Sequence, residues 1–118
     1  LVTWFDEYLA AWDALEPDRV LAWFTDDVVY EDVTLGHTAV GRAAMAKFVR
    51  ASFANVPNAR FDFVSGFDDG ESYAMQWVMQ PMGVRGVSVG KLADGRISEN
   101  HDYWNGALFA VPEGGANG

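Results

Sequence analysis

Leu1, Trp4, Phe5, Tyr8, Trp12 and Leu15 recur at three- and four-residue spacing. That period predicts an amphipathic helix at the start of the chain. Glu16-Pro17-Asp18 interrupts it and opens a shorter helix. Proline in a first turn and acids near a helix N-terminus suit the free amides and dipole there. Val20, Leu21 and Phe24 give this second helix its apolar side, and Thr25-Asp26-Asp27 reads as a turn into a first strand over Val28 to Val33. Leu35 to Gly41 is a loop with a short edge strand, and the helical period returns from Arg42 to Asn55. Ala44, Met45, Phe48, Val49 and Ser52 are the expected inner face, and Pro57 stops the helix.

The remainder alternates with a period of two, as strands do. Phe61, Phe63 and Phe67 alternate with Arg60, Asp62 and Val64, and Tyr73, Met75, Trp77 and Met79 alternate next. Asp68-Asp69-Gly70, Pro81-Met82-Gly83 and Asp94-Gly95 are turns, separating strands that include Val84 to Lys91 and Arg96 to Trp104. Three helices followed by a hairpin-linked meander make an α+β layout. A curved sheet wrapped over the helices would enclose a pocket with a mouth at one end. Residues 1–110 form a single domain, and residues 111–118, rich in glycine, are expected to be a flexible C-terminal tail.

Side-chain alternation places two acids on apolar faces. Val28, Tyr30 and Asp32 point one way in the first strand, and Asn100, Asp102 and Trp104 share a face in the last. A carboxylate among Val, Tyr and Trp carries a desolvation penalty, which raises its pKa towards the range useful for proton transfer. Asp32 is the leading catalytic candidate; the plainer reading is a residue that ends the strand and caps a turn. Asp102 is the second, the plainer reading being a carboxylate satisfied by Asn100 or a backbone amide. Tyr8, on the inner face of the first helix, is a candidate donor to a developing oxyanion, against the ordinary role of a satisfied core phenol. Tyr30, His37, Trp77, Asn100 and Trp104 are candidate substrate-binding residues, with core packing, or surface exposure for His37, as the alternative. His101 falls on the face opposite Asp102 and is expected outside any cavity.

Composition narrows the classes. The chain has 118 residues, half of them hydrophobic and 14% aromatic, so it can bury one sizeable core. Seventeen acids against eight bases give a net charge of −9. That argues against nucleic acid and anionic membrane surfaces as partners. Without cysteine there is no disulfide, thiolate metal site or cysteine nucleophile. Two histidines make no metal motif, and no phosphate loop or nucleotide fingerprint is present. The expectation is cofactor-free and metal-free chemistry. No signal peptide or spanning segment is legible, so a cytoplasmic location is the default. Leu1 already lies in a helical pattern, which leaves room for an upstream segment.

Four segments then carry a family resemblance: Trp-Phe-x-x-Tyr-Leu-x-Ala-Trp, Trp-Phe-Thr-Asp-Asp-Val-Val-Tyr-Glu-Asp, Gly-His-x-Ala-x-Gly-Arg, and Asp-Gly-Arg-Ile-Ser-Glu-Asn-His-Asp-Tyr-Trp-Asn. Together they resemble the SnoaL-like polyketide cyclases of the nuclear-transport-factor-two-like superfamily, which includes ketosteroid isomerases and limonene-epoxide hydrolases. The resemblance implies a cone-shaped, curved antiparallel sheet wrapped over three N-terminal helices (a cystatin-like roll), a deep apolar cavity and a homodimer. It implies that Asp32 stands where ketosteroid isomerases keep their proton-transferring aspartate, and Tyr8 where they keep an oxyanion-donating tyrosine. Their second donor, a protonated aspartate, would fall near Ser88, where this chain has Gly86-Val87-Ser88-Val89-Gly90. Asp102 corresponds to the acid/base aspartate of the cyclases. The middle-strand Arg and Asp of the epoxide hydrolases have no counterpart in Met75-Gln76-Trp77-Val78-Met79.

Residues and resemblance together point to a cofactor-independent acid–base enzyme, an isomerase or aldol-type cyclase. Its ligand would be an apolar small molecule such as a polyketide, steroid or terpenoid. The alternatives are an epoxide hydrolase or dehydratase of the same fold, or a non-catalytic ligand-binding or dimerisation module.

Overall fold

A computed structural model describes residues 3–109; the expected tail at 111–118 and the helical start at Leu1 lie outside the described residues. The first helix, α1, spans Trp4–Asp13. Thr3 caps it: its hydroxyl accepts from the Asp6 amide, and the Asp6 carboxylate accepts from the Thr3 amide at 2.9 Å. This reciprocal box satisfies amides that have no partner inside the helix. Phe5, Tyr8, Leu9 and Trp12 form the buried stripe. Leu15, expected at the end of α1, lies beyond it with a left-handed backbone (φ 56°). A short helix α2 follows over Pro17–Leu21, with the proline in its first turn.

Strand β1 runs Phe24–Asp32 and so starts earlier than the hydrophobic pattern predicts. Thr25, Asp26 and Asp27 are not a turn. Pairing with the neighbouring strand shifts between Phe24 and Val29, and this irregularity carries the polar triplet within the strand. Strand β2 (His37–Val40) and helix α3 (Arg42–Asn55) follow. In α3, Met45 and Val49 are buried and Phe48 packs on the core, but Ala44 is exposed. The contacting stripe is therefore narrower than expected.

Strands β3 (Arg60–Asp68), β4 (Ser72–Gln80), β5 (Val84–Ala93) and β6 (Arg96–Trp104) complete the sheet, and a 3₁₀ turn covers Gly106–Phe109. A bulge between Phe63 and Ser65 breaks the alternation of β3 and leaves Phe67 73% exposed, where strict alternation would have buried it. The sheet order is β2-β1-β6-β5-β4-β3. The curved α+β architecture is as expected, with two differences in detail. First, β1 and β6 pair in parallel while all other pairs are antiparallel. The chain leaves β1, builds β2, α3 and the meander, and returns beside its starting strand in the same direction. Second, α3 stands between β2 and β3 and does not precede the whole sheet.

The helices cover one face of this sheet. Phe5 stacks on Phe63 with ring centroids 5.5 Å apart, and Phe61 meets Trp77 edge-on at 5.2 Å. Met45, Met75, Ile97, Phe24 and Val28 are essentially inaccessible to solvent. Burying a side chain of this kind contributes roughly 1.5–3 kcal/mol. Among the described residues no helix is long and apolar enough to cross a membrane.

Candidate active site

Strand register assembles the site in rows across the helix-covered face. Asp102 pairs with Ser88 on β5 on one side and with Asp32 on β1 on the other. The next row joins Tyr73, Gly90, Asn100 and Tyr30. A third joins Trp77, Gly86 and Trp104. The only buried polar or charged side chains among the described residues are Asp32, Ser88, Asn100 and Asp102, and all four lie in these rows.

Asp102 is buried and holds three side-chain donors. Ser88 Oγ donates to its Oδ1 at 2.5 Å, Asn100 Nδ2 donates to the same oxygen at 2.8 Å, and the Tyr30 hydroxyl donates to Oδ2. Burial pushes the Asp102 carboxyl above the ordinary carboxylate range. The three donors pull it down without cancelling that effect, and the charge of Asp32 adds to the rise. Two further groups stand behind these donors. Trp77 Nε1 donates to Ser88 Oγ at 2.9 Å, and the Tyr73 hydroxyl donates to Asn100 Oδ1.

Asp32 ends β1 and is held differently. Its Oδ1 accepts from the Leu35 amide at 2.9 Å and from Trp104 Nε1 at 2.9 Å; the indole also reaches Oδ2 at 3.1 Å. Asp32 therefore both caps the turn after β1 and faces the interior.

Tyr8 projects from α1 into the same space. Its phenol is pushed far above the ordinary range, first by burial and then by the Asp102 charge, while hydrogen bonds with Trp12 and Tyr30 act in the opposite sense. An indole nitrogen can only donate. Trp12 can therefore only donate towards the Tyr8 oxygen, and because the Tyr30 hydroxyl gives its proton to Asp102, Tyr8 can direct its own proton towards the Tyr30 oxygen. Burial likewise holds Tyr30 well above its ordinary value. Both phenols are neutral donors across the physiological range.

These groups line a cavity of about 300 Å³, within the size range of small-molecule sites. Tyr8, Tyr30, Asp32, Ser88 and Asp102 contribute polar surface, with Ser52 and Asn55 from α3, and Trp12, Phe48, Phe61, Trp77 and Trp104 much of the rest. Leu15 and Leu35 also line it and are 41% and 62% exposed, which places them at the mouth.

The structure brings together Tyr8, Tyr30, Asp32, Trp77, Asp102 and Trp104 on one wall system. Asn100 is wholly buried behind Asp102 and does not line the cavity, so its contact is with the carboxylate and not with the cavity space. His37 is also off the lining: it is exposed at the start of β2, stacked on Phe48 at 5.6 Å. Because it pairs directly with Asp32, its side chain shares the Asp32 face, but it sits at the open edge of that face, beyond the cavity lining. His101 sits on the opposite face, with Nδ1 2.7 Å from Glu31 Oε1. Ser88 and Tyr73 were not anticipated. Both occupy buried positions of an alternating strand, and that alternation was the available signal. Among the described residues no cluster of three or more His, Cys, Asp or Glu could hold a metal ion.

A curved six-stranded sheet over helices, with acids and phenols set into an otherwise aromatic cavity, defines the class of small α+β cones. The chain belongs to the SnoaL-like family: the profile of the SnoaL-like domain matches residues 5–100. Solved structures share the fold. A SnoaL-like protein of unknown function from Burkholderia thailandensis superposes with a TM-score of 0.77 at 17% identity, covering 87% of this chain and 92% of that one. A protein with the ketosteroid isomerase-like fold from Catenulispora acidiphila, solved with trimethylamine, gives 0.77 at 20% identity, covering 84% and 82%. A candidate polyketide cyclase from Sinorhizobium meliloti gives 0.72 at 19% identity, covering 87% and 95%. No curated protein matches the chain in sequence.

Proposed function

We propose that this chain is a cofactor-independent acid–base enzyme, an isomerase or aldol-type cyclase, acting on a compact apolar ketone. The observation that carries this reading is that two carboxylates in unlike surroundings, Asp32 and Asp102, line one aromatic cavity with the neutral phenols of Tyr8 and Tyr30. Two carboxyls held by different hydrogen-bond partners can divide into base and acid. Membership of a family whose structural neighbours include a candidate polyketide cyclase agrees with it.

In this reading Asp32, beside the exposed Leu35, takes the proton from carbon next to the carbonyl. The electron pair moves to the carbonyl oxygen, where the phenol proton of Tyr8, turned to the ligand, stabilises the enolate. Asp102, whose raised pKa keeps it protonated further towards neutrality, delivers a proton to the new carbon or oxygen position. In a cyclisation the enolate carbon attacks a second carbonyl, and Asp102 protonates the resulting alkoxide. Solvent at the mouth resets both carboxyls between turnovers.

The test is ultraviolet-monitored conversion of β,γ-unsaturated cyclic ketones, from monocyclic to steroidal, to their conjugated isomers. Wild type is compared with Asp32→Asn and Asp102→Asn. Turnover that falls in both variants supports the reading. Equal turnover in wild type and Asp32→Asn would remove Asp32 as the base. No turnover across the series would sink the isomerase limb.

A further inference from the structure

Strand β5 carries glycine two residues either side of Ser88, and each glycine lies under a ring from β4. A Cβ at Gly86 would come within 2.4 Å of the Trp77 indole, and one at Gly90 within 2.8 Å of the Tyr73 hydroxyl. Those same two rings end on the partners of Asp102. Trp77 Nε1 donates to Ser88 Oγ at 2.9 Å, and the Tyr73 hydroxyl donates to Asn100 Oδ1. A serine hydroxyl has a single proton. With its oxygen facing the indole hydrogen, Ser88 directs that proton to Asp102 Oδ1 at 2.5 Å. An amide whose oxygen faces Tyr73 turns its NH₂ the other way, and Asn100 Nδ2 meets the same Oδ1 at 2.8 Å.

We propose that Trp77 and Tyr73 are positioning residues that fix the donor sense of Ser88 and Asn100. Both then donate to Oδ1 of Asp102, and Oδ2, with Tyr30, is left as the proton-transfer oxygen. The missing side chain at Gly86 lets the Trp77 indole lie there; at Gly90 a Cβ would meet the Glu99 carbonyl at 2.0 Å as well as the Tyr73 hydroxyl. The carboxylate is thereby made unsymmetrical, with one oxygen anchored by two imposed donors and the other on the Tyr30 side. This rests on the reading of Asp102 as an acid–base group but concerns only how its oxygens are held. The titratable groups facing Asp102 are Tyr8 from α1, Tyr30 and Asp32 from β1, and Tyr73 from β4.

The experiment is carbon-13 NMR titration of the aspartate side-chain carboxyls in the free full-length protein, with Asp102 assigned through Asp102→Asn. It needs no turnover, so its outcome is separate from that of the ketone assay. Trp77→Phe and Tyr73→Phe each remove a hydrogen-bond donor and keep a ring. Loosening a donor to a carboxylate destabilises its charged form, so the Asp102 titration should move up, by about one pH unit. Ser88→Ala should do the same, and Trp77→Phe added to Ser88→Ala should shift it no further, because the indole acts through the serine. An unmoved titration in Trp77→Phe, or full additivity with Ser88→Ala, would overturn the proposal for Trp77. Tyr73→Phe, compared with Asn100→Ala in the same way, tests the other arm if the tryptophan variant fails to fold.

Discussion

Asp32 and Asp102 stand opposite each other across β1 and β6, the parallel pair of the sheet. The indole of Trp104 and the Leu35 amide hold the first; Ser88, Asn100 and Tyr30 hold the second. Parallel pairing is what brings the ends of two strands, distant in sequence, to one edge of the cavity with both side chains inward. Burial raises the pKa of Asp102, and the Asp32 charge reinforces the rise.

Stability should therefore fall with pH through Asp102. Its folded pKa lies above the unfolded value, so the folded state binds the extra proton. The contribution is fully present below the ordinary carboxylate range and is lost as pH rises through the folded value. Thermal melts of wild type and Asp102→Asn, taken from pH 4 to pH 8, should show a difference that moves steadily in favour of the variant.

Tyr8→Phe removes a buried phenol hydroxyl from the cavity wall, beside Trp12 and Tyr30. Loss of one oxyanion donor lowers kcat by about 10²–10³-fold. Removing the buried hydroxyl should lower stability by about 1 kcal/mol. Steady-state kinetics on whichever ketone turns over, with urea denaturation alongside, measure both effects.

Gly86→Ala and Gly90→Ala should differ in severity. The first presses a methyl against an indole that can shift, at about 1–3 kcal/mol for overpacking. The second drives a Cβ to within 2.0 Å of the Glu99 backbone carbonyl, which cannot move without disturbing β6. Denaturant midpoints should rank wild type above Gly86→Ala and Gly86→Ala above Gly90→Ala.

Trp104→Phe deletes the donor that reaches both oxygens of Asp32. In a double-mutant cycle with Asp32→Asn, the two changes should show a coupling of about 0.5–3 kcal/mol. Additive effects on urea unfolding would mean the indole contributes only packing.

The hairpins were legible because their turn chemistry is local: Asp94 and Gly95 both have positive φ, as the tight turn between β5 and β6 requires. Helix α3 was legible over its whole length from its apolar period and the Pro57 stop. The facing of Asp32 and Asp102 followed from alternation, and both are buried. What pattern could not give was pairing. The bulges in β1 and β3 shift register without any composition cue, which is why Phe67 was expected inside. The parallel contact of β1 with β6 is a long-range choice made by the whole chain. Ser88 was read as the absence of a carboxylate, since nothing in the sequence places it opposite Asp102. His37 pairs with Asp32 and stacks on Phe48, but at the exposed edge of the sheet it stays off the cavity lining.

The hairpin formed by β4 and β5 meets at the Pro81–Gly83 turn, and its register sets Trp77 over Gly86 and Tyr73 over Gly90. Side chains alternate between faces, so slipping one residue would turn Ser88 and both glycines to the outer surface together. Turn length is thus a parity switch for the chemistry. A redesign that lengthens this connection preserves the buried polar cluster only if the added residues are absorbed in the loop or shift the strand by an even number.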